Sequence, residues 1–271
     1  LLVEQGYDVH GVSLRMWEGE RGPRVCSDHR GAKEVAEHLR IPHTLLDLRG
    51  QFADTVVKPF AQDYLDGRTP NPCVACNRDF KLGTLLRWAK EQGAGYIATG
   101  HYARVIHDDR TGHTSLLRGA DGTKDQSYFL FALSQEQLAH TVFPLGDMQK
   151  SAVRSKARAL NLPAAERPES QDICFGDYKL LVATYAKESD LDGGEVVDRS
   201  GKLLGKHDGI HGVTIGQRRG LGISAREPLY VVEIDRPSKR VVVGKKNELS
   251  AAGLIARAVN WIEPLSDTGI D

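Results

Sequence analysis

In residues 28–40, DHRGAKEVAEHLR, the apolar positions are Ala32, Val35, Ala36 and Leu39. Their three- and four-residue spacing lines one face of a helix. Asp28 stands where a cap belongs and Pro42 ends the segment. On either side, DVHGVSL (8–14) and HTLLDL (43–48) are short apolar-rich runs that read as strands. Phe52, Val56, Phe60 and Tyr64 recur at intervals of four, predicting a helix over 52–67 with a kink at Pro59 and a stop at Gly67. A further helix is predicted over 80–93, stopped by Gly93, and then a strand over 96–101 running into a loop. Strand and helix in alternation predict an α/β fold with a doubly wound parallel sheet. Ligands in such sheets sit at the carboxyl ends of strands, which marks Leu14 and the Gly100–His101 pair.

From residue 102 the pattern changes. ARVIHDDRTGHTSLLRG reads as a hairpin turning at DDRTG, and Ser134 with Gln137 as a capping box on a short helix. Two helices are predicted over 150–162 and 177–188, separated by the polar loop ERPESQDICFGD that carries Cys174. Beyond 193, strands turning at DRSG and DRPSK predict an antiparallel β-domain, a partial barrel. The expected division is 1–143 as the α/β domain, 144–192 as a small central helical domain and 193–271 as the barrel. The opening LLVEQG reads as the end of a helix, and the strands stop with edges unpaired, so the chain is expected to be a segment of a longer protein.

Composition narrows the classes. Length is 271 residues, with 40% hydrophobic and 27% charged positions, and no apolar run approaches a membrane span. Lysine plus arginine and aspartate plus glutamate number 36 each, which excludes a polybasic binder but not a local basic face. Four irregularly spaced cysteines are too few for a disulfide scaffold, so a reducing, cytoplasmic compartment is expected.

Cys73 and Cys76 sit three apart in PNPCVACN (70–77), which Pro70 and Pro72 make a loop. Three readings are open. A structural zinc needs a second close pair, and Cys26 and Cys174 are far off and alone. A thioredoxin-like pair belongs after the first strand, which is not its place here. A nucleophile fits the position best: Cys76 comes just before the helix expected near Phe80, whose amino end stabilises a thiolate, and Arg78 and Lys81 add charge. Cys174, alone on a second loop, reads either as a small buried residue or as a partner delivered over the same site.

The strings GRTPNPCVACNRDFKLG, YIATGHYAR, LLRGADGTKDQSYFLFAL, SQDICFG and GQRRGLGI occur in that order. Together they resemble the tRNA-specific 2-thiouridylases, over nearly the whole chain. The resemblance implies an adenine-nucleotide α-hydrolase-like (PP-loop) domain, a small central domain and a β-barrel. It implies 2-thiolation of uridine at wobble position 34 of tRNA. ATP, with magnesium, adenylates the base; AMP and pyrophosphate leave. By motif the nucleophile is Cys76, and Cys174 carries the persulfide sulfur, received from a sulfur-relay or cysteine desulfurase protein. The two cysteines are implied to close a transient disulfide. Asn71, Pro72 and Cys73 fall on the family's target-base contact, and His101, Lys124, Asp125 and Gln126 on its contacts with the tRNA anticodon loop. Leu14 and Gly100 fall on its ATP contacts. Magnesium is assigned to no residue of this sequence, and no metal site or membrane partner is expected. Three departures stand out: some members have Asp where this chain has Cys73, the phosphate-binding SGGxDS loop would precede Leu1, and the late barrel segment that also contacts tRNA in the family is expected beyond this sequence. Rival readings are another PP-loop ligase or amidotransferase, which has no need of Cys76 and Cys174, and a non-enzymatic RNA-binding module.

Overall fold

β1 (Gly11–Arg15) and β2 (His43–Asp47) pair in parallel, Gly11 opposite His43 and Arg15 opposite Asp47, in a computed structural model that describes residues 1–17, 29–163, 165, 166 and 173–263. Between the strands runs α1 (His29–Leu39), with Ala36 buried. The expected cap, Asp28, lies outside the described residues, as do Cys26 and residues 167–172 of the Cys174 loop.

A helical run over 49–65, here α2, buries Phe52, Val56, Phe60 and Tyr64 as the spacing requires. Pro59 has no N–H to donate, and the turn before it, Ala53–Val57, is widened to five-residue hydrogen bonding. The run stops as expected. Gly67 takes φ of 72°, its N–H reaches the Tyr64 carbonyl at 2.9 Å, and the Arg68 N–H reaches that of Asp63 at 2.8 Å.

The next helix, α3, runs over 72–91 and stops the same way at Gly93. β3 (Ile97–Ala98) pairs in parallel with β6 (Thr141–Val142). β4 (Ala103–Asp108) and β5 (His113–Arg118) form the expected hairpin, its turn held by Asp108 accepting from the Arg110 amide and the Thr111 hydroxyl. α4 (Gln135–Ala139) carries the Ser134–Gln137 capping box. Among the described residues of the α/β part, the parallel pairs β1–β2 and β3–β6 stand separate rather than forming one continuous sheet.

Packing divides the chain into two compact units, and the cuts do not follow the three linear segments. The first holds 1–53, 73–175 and 258 onward. Its core joins Leu82, Leu86 and Ala89 of α3 to Ile97, Ala103, Leu130, Leu133, Leu138 and Phe143. It also contains α5 (Lys150–Ala159), whose first amide is capped from a distance by Asp121. The second unit holds 54–72 and 176–257. There α6 (Tyr178–Tyr185) packs on the end of α2, with Tyr178 stacked on Tyr64 at 4.8 Å between ring centroids. Its sheet has the order β8 (Leu203–His207), β7 (Gly194–Asp198), β10 (Arg240–Gly244), β9 (Tyr230–Asp235). The two hairpins are antiparallel as expected, but they meet through β7 and β10, which are parallel. No described helix is long and apolar enough to cross a membrane.

Candidate active site

The stretch expected to be a loop at 70–77 is helical from Pro72. A proline at the first helical position sacrifices no hydrogen bond, because that N–H has no partner inside a helix. Local composition therefore argued for a loop where the helix begins early. Cys73 lies in the first turn and Cys76 a turn further in, not ahead of a helix at Phe80. The Cys76 side chain is buried at 5% exposure, and its S–H points to the Met16 thioether at 3.7 Å. Met16 stands two residues beyond Leu14, so the nucleophile candidate lies at the carboxyl end of β1.

From Cys76 to Thr84 the helix adopts the wide, five-residue hydrogen-bonding register. Phe80, in that segment, meets Phe52 edge-on at 5.4 Å. Phe52 in turn meets Phe175 at 6.0 Å, and Phe175 meets Trp17 at 6.4 Å. Phe175 is the residue after half-buried Cys174. An aromatic cluster thus brings the Cys174 segment to the end of β1 and to the helix of Cys76. The two contacts of Phe175 are worth about 1–3 kcal/mol together. Burial of the Phe175 ring, which is 6% exposed, adds to this. Cys73, Cys76 and Cys174 are all thiols rather than half-cystines.

Asn77 is 2% exposed, and its Nδ2 donates to the Phe129 carbonyl at 3.4 Å. This joins the Cys76 helix to the segment that carries Lys124, Asp125 and Gln126. Gln126 accepts from the Tyr102 amide through Oε1 and donates its own N–H to the Tyr102 carbonyl, fixing the backbone just after His101. Asp125 accepts from the amides of Gly119 and Ser127 and from the Ser127 hydroxyl. Burial opposes its charge, but these donors outweigh burial and hold its carboxyl below the ordinary range. The amide of Lys124 bonds to the Asp121 carbonyl at 2.9 Å. His101 is joined to Thr99 through Nδ1 at 2.8 Å and lies edge-on to Phe143. Burial, with help from the charge of Lys81, pushes the His101 pKa down to about 4, so the ring is neutral at pH 7.

Gly100 is exposed just after β3, and Leu14 is half-buried in β1. Asn71 is exposed and Pro72 buried. Sequence reasoning missed Met16, Phe52, Asn77 and Phe175. Only the four-residue aromatic spacing of α2 hinted at one of them, and no local signal says that these rings converge. What is gathered is a buried thiol, a second thiol on a segment docked through Phe175, and a braced polar loop beside a neutral histidine.

The family model of a tRNA methyl transferase HUP domain matches residues 1–177, and that of a tRNA methyl transferase PRC-barrel domain matches residues 181–245. Curated relatives named tRNA-specific 2-thiouridylase MnmA are similar over nearly the whole chain. That of Geotalea uraniireducens is 46% identical, covering 100% of this chain and 75% of the relative. That of Syntrophotalea carbinolica is 49% identical, covering 97% and 75%. That of Solibacter usitatus is 43% identical, covering 97% and 76%. The HUP match ends just past Phe175, so all the cysteines fall within it.

Proposed function

The chain belongs to the tRNA-specific 2-thiouridylase family, and on that premise we propose that it is a tRNA-uridine 2-sulfurtransferase acting at wobble position 34. The words methyl transferase in the names of the two matching domain families do not alter this reading. The curated relatives, similar over nearly the whole chain, are named for thiolation.

Carbonyl oxygen is a poor leaving group, so O2 of the uridine must first be activated, and ATP with its magnesium serves as the adenylating substrate. The half-buried Leu14 and the bare backbone at Gly100 suit an adenine ring, which is held by apolar contact and main-chain groups. Cys174, charged with a persulfide by a sulfur-relay or cysteine desulfurase protein, attacks C2 through its terminal sulfur. AMP leaves with O2, and a Cys174–S–S–C2 link remains. The Cys76 thiolate then attacks Cys174 Sγ. The S–S bond breaks, its electron pair goes to the sulfur on C2, and a Cys76–Cys174 disulfide forms. A dithiol reductant supplies the two electrons that reopen it.

The target base lies in an anticodon loop, a single strand that can splay it outward. Asn71, Pro72 and Cys73 wall the base, while His101, Lys124, Asp125 and Gln126 hold the loop around it. His101, being neutral, acts there by hydrogen bonding or ring contact rather than as a phosphate-binding charge.

The observation that carries this reading is the docking of Phe175 among Trp17 and Phe52, in the same unit as Cys76. The test replaces each cysteine separately in the full-length protein and measures 2-thiouridine in tRNA by nucleoside mass spectrometry. Cys76→Ser and Cys174→Ser should each abolish its formation. Intact formation in both sinks the reading.

A further inference from the structure

We propose that Gln137 and Gly83 are positioning residues for Cys76, holding the helix that carries it in the widened register. A helix in that register, over Cys76–Thr84, is unusual in length, since such turns are rare and mostly single. Switching between registers leaves carbonyls without their ordinary partners. Gln137 supplies the missing donors. Its Nε2 donates to the Arg78 carbonyl at 2.6 Å and to the Leu82 carbonyl at 3.1 Å. Its Oε1 is held by the Ser134 amide at 2.9 Å, so the capping box of α4 aims the amide. A third carbonyl, that of Asp79, accepts from the Thr84 hydroxyl at 2.9 Å.

Gly83 permits the register. A Cβ placed there would lie 2.5 Å from the Arg78 carbonyl oxygen, five residues back. That oxygen is backbone and cannot swing aside. In an ordinary helix alanine is the better residue, by about 1 kcal/mol. Gly83 therefore disfavours the ordinary helix and admits the wide one. Each residue of register changes the facing of everything before it by about 100°. If the segment reverted, Cys76 would turn away from Met16, and Asn77 from the Phe129 carbonyl. Gln137 touches neither thiol, so its action passes through the backbone.

The test uses the full-length protein with Gln137→Met, which keeps the volume and loses the donors, and with Gly83→Ala. Alkylation of Cys76 by iodoacetamide is followed by mass spectrometry, with Cys174 as internal reference, beside helicity and thiolation kinetics. Both variants should keep their helix content. Cys76 alkylation should rise about tenfold against Cys174 as burial is lost. The kcat should fall about a hundredfold with KM for tRNA unchanged, as misplacement of a reacting group does. Wild-type alkylation and kcat in either folded variant overturn the proposal. So does loss of folding in both, because a purely structural role then suffices. The kinetic arm rests on the sulfur-transfer reading and the alkylation arm does not. A wild-type enzyme that forms no thiouridine would therefore sink that reading while the positioning claim stands or falls on its own.

Discussion

Asn77 is buried beside Cys76 with its Oδ1 lacking any donor among the described residues. The bond from its Nδ2 to the Phe129 carbonyl is long. An orphaned acceptor costs the desolvation of that atom, and an apolar side chain of the same shape removes the cost. Asn77→Leu should therefore change stability by less than about 1 kcal/mol. Asn77→Asp buries a charge with a carbonyl facing it and should cost about 3 kcal/mol or more. Urea unfolding of the two variants separates these cases; equal losses would mean that the burial is not as described. His101 gives a second test. Its folded pKa of about 4 lies below the ordinary 6.5, so the unfolded chain takes the proton first as pH falls. Its contribution is complete above pH 6.5 and is lost as pH drops toward 4. His101→Gln should flatten the stability profile in that window. At this scale the cysteines, His101 and the Lys124–Gln126 loop stand out in the sequence as candidates, because each sits in a distinctive string. Met16 and Asn77 were not, because their importance comes from burial against partners distant in the chain.

Helix stops were the most legible elements. Gly67 and Gly93 end α2 and α3 as expected, because the left-handed conformation is a local property of glycine. The two stops differ in surroundings. A Cβ at Gly93 meets nothing within 4 Å, whereas one at Gly67 lies 3.3 Å from Ile234 Cγ2. Gly93→Ala should cost about 1 kcal/mol from backbone strain alone, and Gly67→Ala more. Denaturation midpoints check the order, and the reverse order would contradict the described contact. The start of α3 was misread because prolines argue for a loop unless one of them occupies the first helical position, as Pro72 does. The widened turn was invisible for a different reason. The donors that sustain it come from Gln137, more than fifty residues away, whose partner in the sequence pattern was only Ser134. The parallel junction of β7 and β10 was hidden likewise, since each hairpin specifies its own turn but not its neighbour.

Across the molecule, the chain returns twice between units, with 54–72 packing in one and 73–175 in the other. Linear segmentation follows composition and misses such returns, although the alternation of strand and helix did identify the class. Balanced charge places the burden of tRNA binding on local faces. Binding of labelled tRNA by the full-length protein should weaken steeply with salt, whereas His101→Gln should leave that slope unchanged because a neutral ring releases no counterion. A flat salt response would count against phosphate-led docking. The central claim, that sulfur passes from Cys174 and is released by Cys76, has its most direct test in trapping the intermediate. Full-length Cys76→Ser protein, loaded with radioactive persulfide sulfur and given tRNA and ATP with magnesium, should accumulate a covalent protein–tRNA species. A dithiol should cleave it, and Cys174→Ser should form none. Free 2-thiouridine at wild-type yield from Cys76→Ser, with no covalent species, would contradict the account.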